Sequence, residues 1–200
     1  MVKAALILAA VLAVAAAAVL AAPRGSDFNR RGFCLPCSIP WNVHCHRSSE
    51  RTAASSLLTI VAAQEDYRAH DRDGNGRNDY WRGDVAGLYA IYLPGSYEGI
   101  KLIELSVAGA DASPLVDVAA FATPSPKAGY WFRALRHAEE TTRGPDRFAA
   151  CAFPDSASAG RWTYVVDERK VVWKRELGGG RGVEVFPSDR ELENEWRTAR

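Results

Sequence analysis

The side chains best suited to chemistry lie in one acidic stretch, residues 71–79. Asp71, Asp73, Asn75 and Asp79 occupy positions 1, 3, 5 and 9 of a calcium-binding loop, and Gly76 stands at position 6, where such a loop turns sharply. Carboxylate and amide oxygens are the ligands that Ca²⁺ takes in proteins. The spacing therefore predicts a calcium site that uses these four side chains, with Ca²⁺ as the candidate cofactor.

Two features of the same stretch favour a turn without an ion. Position 12 holds Arg82 in place of the Glu that closes such sites, and position 8 holds the polar Asn78. Asp and Asn side chains also accept hydrogen bonds from the backbone of their own turn. The sequence leaves both interpretations open, a calcium loop or a self-bonded turn.

The cysteines form the second group of chemically capable residues. They are Cys34, Cys37, Cys45 and Cys151. In an exported chain an even number of cysteines first predicts disulfides, and four cysteines allow three pairings between which the sequence does not choose. A bridge from Cys151 would connect the N-terminal part of the chain to its late apolar segments.

Two other interpretations apply to the N-terminal cysteines. Together with His44 and His46, they offer the thiolate and imidazole ligands of a zinc or copper site. The Cys34-x-x-Cys37 spacing also matches a redox dithiol, but no buried strand precedes it. We therefore expect disulfides in preference to either.

Charge and motif content argue against several functions. The formal net charge is +1 and no run of Lys or Arg is present, so nucleic-acid binding is not expected. None of the common hydrolase or metalloprotease motifs is present. His137, beside Glu139 and Glu140, is interpreted as part of a solvated loop. We expect no enzymatic activity and identify no small-molecule substrate.

The N-terminus predicts export. Residues 1–22 form an apolar run behind Lys3, with small residues before a cleavage point at Ala21 or Ala22. The apolar residues 4–22 are just long enough to span a bilayer. We expect an uncleaved membrane anchor with the domain on the outer side of the cytoplasmic membrane. A removed signal peptide, which would release the domain, is the alternative.

The rest of the chain divides into a cysteine-containing linker at 23–47 and a domain at 48–200. A helix is predicted to begin at Ser48 or Ser49 and to end before Asp71. Its apolar face comprises Leu57, Leu58, Ile60, Val61 and Tyr67. Short apolar segments at 129–135, 147–153, 162–166 and 171–174 predict strands of an antiparallel meander, and residues 189–196 predict a helical turn over its edge. The expected fold class is α+β, an N-terminal amphipathic helix packed on an antiparallel β-meander and preceded by an apolar transmembrane or signal helix.

Three stretches carry a family resemblance. They resemble uncharacterised exported bacterial proteins related to type IV pilins and type II secretion pseudopilins. The stretches are residues 48–68, residues 71–81 (Asp-Arg-Asp-Gly-Asn-Gly-Arg-Asn-Asp-Tyr-Trp) and residues 129–135 (Gly-Tyr-Trp-Phe-Arg-Ala-Leu). The resemblance implies a pilin-like fold and a structural, assembly or adhesion role in the cell envelope with protein partners. A calcium- or metal-binding envelope module is the alternative function.

Overall fold

The computed structural model describes residues 41–93, 95, 99–139 and 144–199. Its helices are α1 (Trp41–Ala69), α2 (Leu105–Ala108) and α3 (Asp189–Glu195). Two 3-10 turns cover Ala86–Tyr89 and Val118–Ala120. The strands are β1 (Ile91–Tyr92), β2 (Gly99–Ile100), β3 (Tyr130–His137), β4 (Ala149–Pro154), β5 (Thr163–Asp167), β6 (Trp173–Arg175), β7 (Val185–Phe186) and β8 (Arg197–Thr198).

Six of these strands form one sheet in the order β7-β3-β4-β5-β6-β8. All neighbours are antiparallel except β7, which runs parallel to β3 with Val185 opposite Arg136. The sheet is curled into a half-barrel. Strands β1 and β2 pair only with each other.

The predicted fold class is therefore wrong, including its pilin-like architecture. A meander places consecutive strands side by side, whereas here the chain leaves β6 and crosses the sheet to form β7 at the far edge. It then returns through α3 to form β8 beside β6. β7 and β8 have two residues each, too few for an alternating pattern to be visible in the sequence.

Both faces of the sheet are covered, because every residue of β4 and β5 is buried. Leu57 and Ile60 of α1 belong to the same apolar cluster as Phe132, Tyr164 and Val166 of the sheet. The opposite face carries a second apolar cluster, to which the C-terminal segment contributes. Its buried members are Leu135, Ala149, Cys151, Phe153, Val165, Phe186, Leu192 and Trp196.

Helix α1 differs from its prediction at its start and at one position. It begins at Trp41, so Ser48 and Ser49 lie inside the helix and do not cap it. Leu57, Ile60 and Val61 are buried, but Leu58 is 48% exposed. The helix ends at Ala69, directly before the acidic stretch.

The membrane segment and two of the cysteines cannot be compared with the structure. Among the described residues, no helix is both long and apolar enough to cross a bilayer. The predicted anchor or signal segment at residues 1–22 lies outside the described residues, as do Cys34 and Cys37.

Candidate functional site

The predicted calcium ligands lie in a tight turn that is closed by its own backbone. Asp71 Oδ1 accepts a hydrogen bond from the Asn75 N–H at 3.0 Å, and Asp71 Oδ2 accepts one from the Gly76 N–H at 2.8 Å. The Asn75 side-chain amide donates to Asp73 Oδ2 at 2.7 Å. Gly74 and Gly76 have φ values of 67° and 78°, which glycine adopts without strain. These contacts match the self-bonded turn that the sequence allowed as one interpretation.

Three carboxylates of the turn nevertheless affect the pKa of one hydroxyl group, that of Tyr67. Burial raises the pKa of Tyr67, and the carboxylates of Asp73, Asp79 and Asp71 raise it further. Asp79 is 8% exposed and lies 3.4 Å from the side-chain amide of Asn75. Within the described part of the chain, no group of three or more His, Cys, Asp or Glu side chains is arranged to hold a metal ion. The calcium site remains a prediction.

Cys151 is a free thiol at the centre of the sheet. It is fully buried in β4 and donates to the Val183 carbonyl at 3.5 Å. Burial raises the pKa of Cys151 to about 12, which leaves the thiol protonated and unreactive at neutral pH. The predicted bridge between Cys151 and the N-terminal cysteines is absent from this structure. The side chains of Cys34, Cys37 and Cys45 lie outside what is described.

A basic cleft at the edge of the sheet was not predicted. It has a volume of about 720 Å³. We call it the arginine cleft and define it by its lining residues: Arg82, Gly83, Ser113, Arg133, Ala134, Arg136 and Glu184. Three guanidinium groups thus share one concave surface with a single carboxylate, although they are up to 54 positions apart in the chain.

The floor of the cleft lies between two stretches of edge pairing on β3. On one side of it, the Phe132 N–H donates to the Ala110 carbonyl and the Ala112 N–H donates to the Phe132 carbonyl, both at 2.8 Å. On the other side, Arg136 pairs with Val185 of β7. Ala134 lies between these two pairings, so the cleft occupies the place where the outer strand is discontinuous.

The wall that carries Arg82 is fixed to α1 through Trp81. The Gln64 side chain accepts from the Trp81 N–H at 2.9 Å and donates to the Trp81 carbonyl at 3.2 Å. The Trp81 indole donates to the Asp84 carbonyl at 2.8 Å. A Cβ at Gly83 would overlap the indole ring, so the ring packs this closely only because position 83 is glycine.

Two buried carboxylates hold the backbone around this wall. Asp84 is 2% exposed and accepts from the N–H groups of Gly87 at 2.8 Å, Val116 at 3.1 Å and Leu115. Asp111 is 4% exposed and accepts from Ala86 and Ser113. Burial raises the pKa of Asp111 above its ordinary value. Both carboxylates accept hydrogen bonds from backbone N–H groups, and these hydrogen bonds hold the loops in position.

Arg133 has an unsatisfied donor in the arginine cleft. Its side chain is 23% exposed, and its guanidinium lies 5.4 Å from the centre of the Phe153 ring. Its Nη1 is 3.6 Å from Glu184 Oε1, but the Glu184 side chain is 85% exposed and binds it weakly. The Nε atom is buried and donates no hydrogen bond within the described structure. A buried donor without an acceptor is costly, so a small shift of the side chain that brought Nε to an anionic oxygen in the cleft would be favourable.

His137 follows on the same strand, and its predicted place in a solvated loop is wrong. It is the last residue of β3, is 3% exposed, and its ring centre lies 5.2 Å from that of Phe186. Its Nε2 is 3.6 Å from Glu168 Oε2. Burial acts to lower the pKa of His137, but the Glu168 carboxylate raises it above its ordinary value.

Sequence reasoning missed the arginine cleft because it looked for cations that are adjacent in the chain. One signal was present, since Arg133 and Arg136 interrupt the apolar run of β3. A charged residue in a buried strand marks a position where the strand meets an edge or a ligand. The contribution of Arg82 depends on tertiary contacts and leaves no local pattern.

No protein-family model, curated protein or solved structure matches this chain. The resemblance to pilins and pseudopilins gains no support from these comparisons, and no function can be transferred from a relative. The function is therefore argued from the arrangement of the side chains.

Proposed function

We propose that this protein is a non-enzymatic binding protein of the cell envelope whose arginine cleft recognises an anionic group on a ligand or partner. The observation that carries the proposal is the buried Nε of Arg133, which lacks an acceptor in a cleft lined by two further arginines. Guanidinium groups present paired donors that match carboxylate and phosphate oxygens. Compact carboxylate- or phosphate-bearing groups are therefore the expected ligand class.

The envelope location rests on residues 1–22, whose apolar run is typical of an anchor or a signal peptide. An assembly or adhesion role in the envelope is compatible with this cleft, since surfaces and partners there carry carboxylates and phosphates. Binding without catalysis is proposed because Ser113 is the only hydroxyl among the lining residues of the cleft, and no histidine lines it as a base.

Titration calorimetry with small anions tests this proposal. The full chain, in neutral detergent, is titrated with citrate and with sulfate. We expect citrate to bind and Arg133→Gln to weaken binding at least tenfold, which corresponds to about 1.4 kcal/mol. Arg190→Gln, on the exposed surface of α3, is the matched control and is expected to bind as the wild type does.

The proposal fails if neither anion binds the wild type, or if Arg133→Gln and Arg190→Gln have equal affinities. A circular dichroism spectrum and an unfolding curve for each variant establish that both remain folded, so that loss of binding reports on the cleft.

Calcium binding by the Asp71 loop is a second candidate function. The observation that favours it is the grouping of two carboxylates around the Asn75 side-chain amide, which lies 2.7 Å from Asp73 Oδ2 and 3.4 Å from Asp79 Oδ2. Bound Ca²⁺ stabilises the state that binds it, so we expect 5 mM CaCl₂ to raise the melting temperature relative to 5 mM EDTA. Asp73→Asn should abolish that rise. Identical wild-type melting curves in calcium and in EDTA would exclude this candidate.

A further inference from the structure

A second cleft lies between the N-terminal half of α1 and strands β5 and β6 of the sheet. Like the arginine cleft, it has a volume of about 720 Å³. We call it the helix–sheet pocket and define it by its lining residues: Arg47, Glu50, Arg51, Ala54, Tyr164, Lys174 and Ala199. It shares no residue with the arginine cleft.

The cations of this pocket come from two elements. Arg47 and Arg51 are four residues apart on α1, so they lie on the same helix face one turn apart. Arg51 Nε donates to the Arg47 carbonyl at 3.3 Å, which holds the Arg51 side chain along the helix. Lys174 of β6 contributes the third positive charge from the sheet.

Aromatic side chains position the sheet side of the pocket. The Lys174 ammonium lies 5.4 Å from the centre of the Trp162 ring, and the Arg161 guanidinium lies 4.9 Å from it. Tyr164 of β5 is 4% exposed and lines the pocket. Burial raises the pKa of Tyr164, so its hydroxyl is neutral and able to donate.

One carboxylate lines the pocket beside these donors. Glu50 Oε1 accepts a hydrogen bond from the Arg161 N–H at 3.2 Å. The donor to Glu50 is therefore a backbone group and not one of the three cationic side chains that line the pocket. These three cations share the pocket with one carboxylate. The pocket has a surplus of positive charge and donors that approach from the helix, from β5 and from β6.

We propose that the helix–sheet pocket binds the phosphate group of a phosphate ester. A phosphate ester presents at least two non-bridging oxygens that share its negative charge around a tetrahedral phosphorus, which suits donors that converge from three directions, whereas a carboxylate is planar. The ester could belong to a soluble metabolite or to a phospholipid headgroup. Helix α1 follows the predicted membrane segment in the chain, so both sources are tested.

The protection of Lys174 from an amine-reactive reagent, followed by mass spectrometry, tests the proposal. The full chain is labelled in neutral detergent with and without glycerol 3-phosphate. It is also labelled in nanodiscs of phosphatidylcholine, whose phosphate is neutralised by its own choline group, with and without the anionic phosphatidylglycerol. We expect glycerol 3-phosphate or phosphatidylglycerol to slow Lys174 labelling at least fivefold. The labelling of exposed Lys101 should not change.

Arg51→Gln keeps Lys174 as the reporter and should abolish the protection, whereas Arg190→Gln should retain it. Protection by glycerol 3-phosphate supports a soluble ligand, and protection in phosphatidylglycerol discs alone supports a lipid headgroup. The proposal is overturned if neither protects Lys174, if acetate protects it equally, or if Arg51→Gln leaves the protection intact.

Discussion

The acidic turn at residues 71–79 and the arginine cleft are both dense clusters of charge, but their charges find partners in different places. In the turn, Asp71 accepts from the N–H groups of Asn75 and Gly76, four and five residues away. In the cleft, the arginines come from positions 82, 133 and 136, and the Nε of Arg133 is buried without an acceptor. The turn, whose members are close in sequence, forms its hydrogen bonds internally. The cleft, which the tertiary fold assembles, retains one donor without an acceptor that a ligand could use.

The energetic consequence is that the turn and the cleft respond differently to mutation. A buried donor without a partner costs about 1–3 kcal/mol, and the structure around it must supply that energy. In the cleft the supporting contacts are long-range, such as those between Asp84 and residues 115–116. In the turn they are confined to a few neighbouring residues.

The largest effect is expected from Asp84→Ala. This change leaves the buried N–H group of Gly87 and the partly buried N–H groups of Leu115 and Val116 without their acceptor. We expect the free energy of unfolding, measured in urea, to fall by about 3 kcal/mol or more. Citrate binding should also weaken, because the loop that carries Arg82 loses its anchor.

Asp117→Ala is the control for that experiment, since exposed Asp117 accepts a single hydrogen bond, from the Ala119 N–H, at the start of a 3-10 turn. We expect it to cost about 1 kcal/mol. Equal losses for Asp84→Ala and Asp117→Ala would show that long-range carboxylate contacts do not support the cleft.

The next effect is a gain of stability from Arg133→Met. Methionine keeps apolar contact with Phe153 and removes the buried Nε that has no acceptor. We expect the free energy of unfolding to rise by about 1–2 kcal/mol, while anion binding is lost. A clear loss of stability would mean that Arg133 supports the fold, which would remove the argument for a ligand.

A smaller and local effect is expected from Asp71→Ala. The change removes one carboxylate that accepts from two backbone N–H groups in an exposed turn. We expect a loss of about 1 kcal/mol, faster hydrogen exchange at Gly76, and unchanged citrate affinity. Weaker citrate binding in Asp71→Ala would show that the turn and the cleft are coupled and do not act as independent clusters.

The smallest effect concerns pH and involves His137, the neighbour of Arg136. The pKa of His137 is raised above its ordinary value of 6.5, so between these values the folded chain binds more protons than the unfolded chain. The contribution of His137 to stability is complete below pH 6.5 and is lost as the pH rises through the raised pKa. We expect urea midpoints to fall slightly across that window, and His137→Gln to remove the slope.

Glu168→Gln provides the control, because removal of the carboxylate that raises the pKa of His137 should also remove the slope. Sulfate affinity at the arginine cleft should stay constant across the same window, since guanidinium groups remain protonated and sulfate remains a dianion. A midpoint that rises with pH would contradict the arrangement of His137 and Glu168.

Local structure could be predicted from this sequence, whereas much of the tertiary structure could not. The apolar spacing of Leu57, Ile60 and Val61 predicts a buried helix face, and the aromatic run at 130–132 predicts a strand. The position of β7 depends on a crossing of the sheet by a segment with no periodic pattern. For the same reason the self-bonded turn could be proposed from the spacing of its Asp and Asn residues, but the arginine cleft could not.

The central claim is that Arg133 presents a buried donor to an anionic ligand, and the NMR signal of its Nε–H group tests it most directly. During titration of the full chain with citrate, we expect this resonance to move to higher frequency and to saturate with the affinity measured by calorimetry. A resonance that stays in place while citrate saturates the protein would contradict the account.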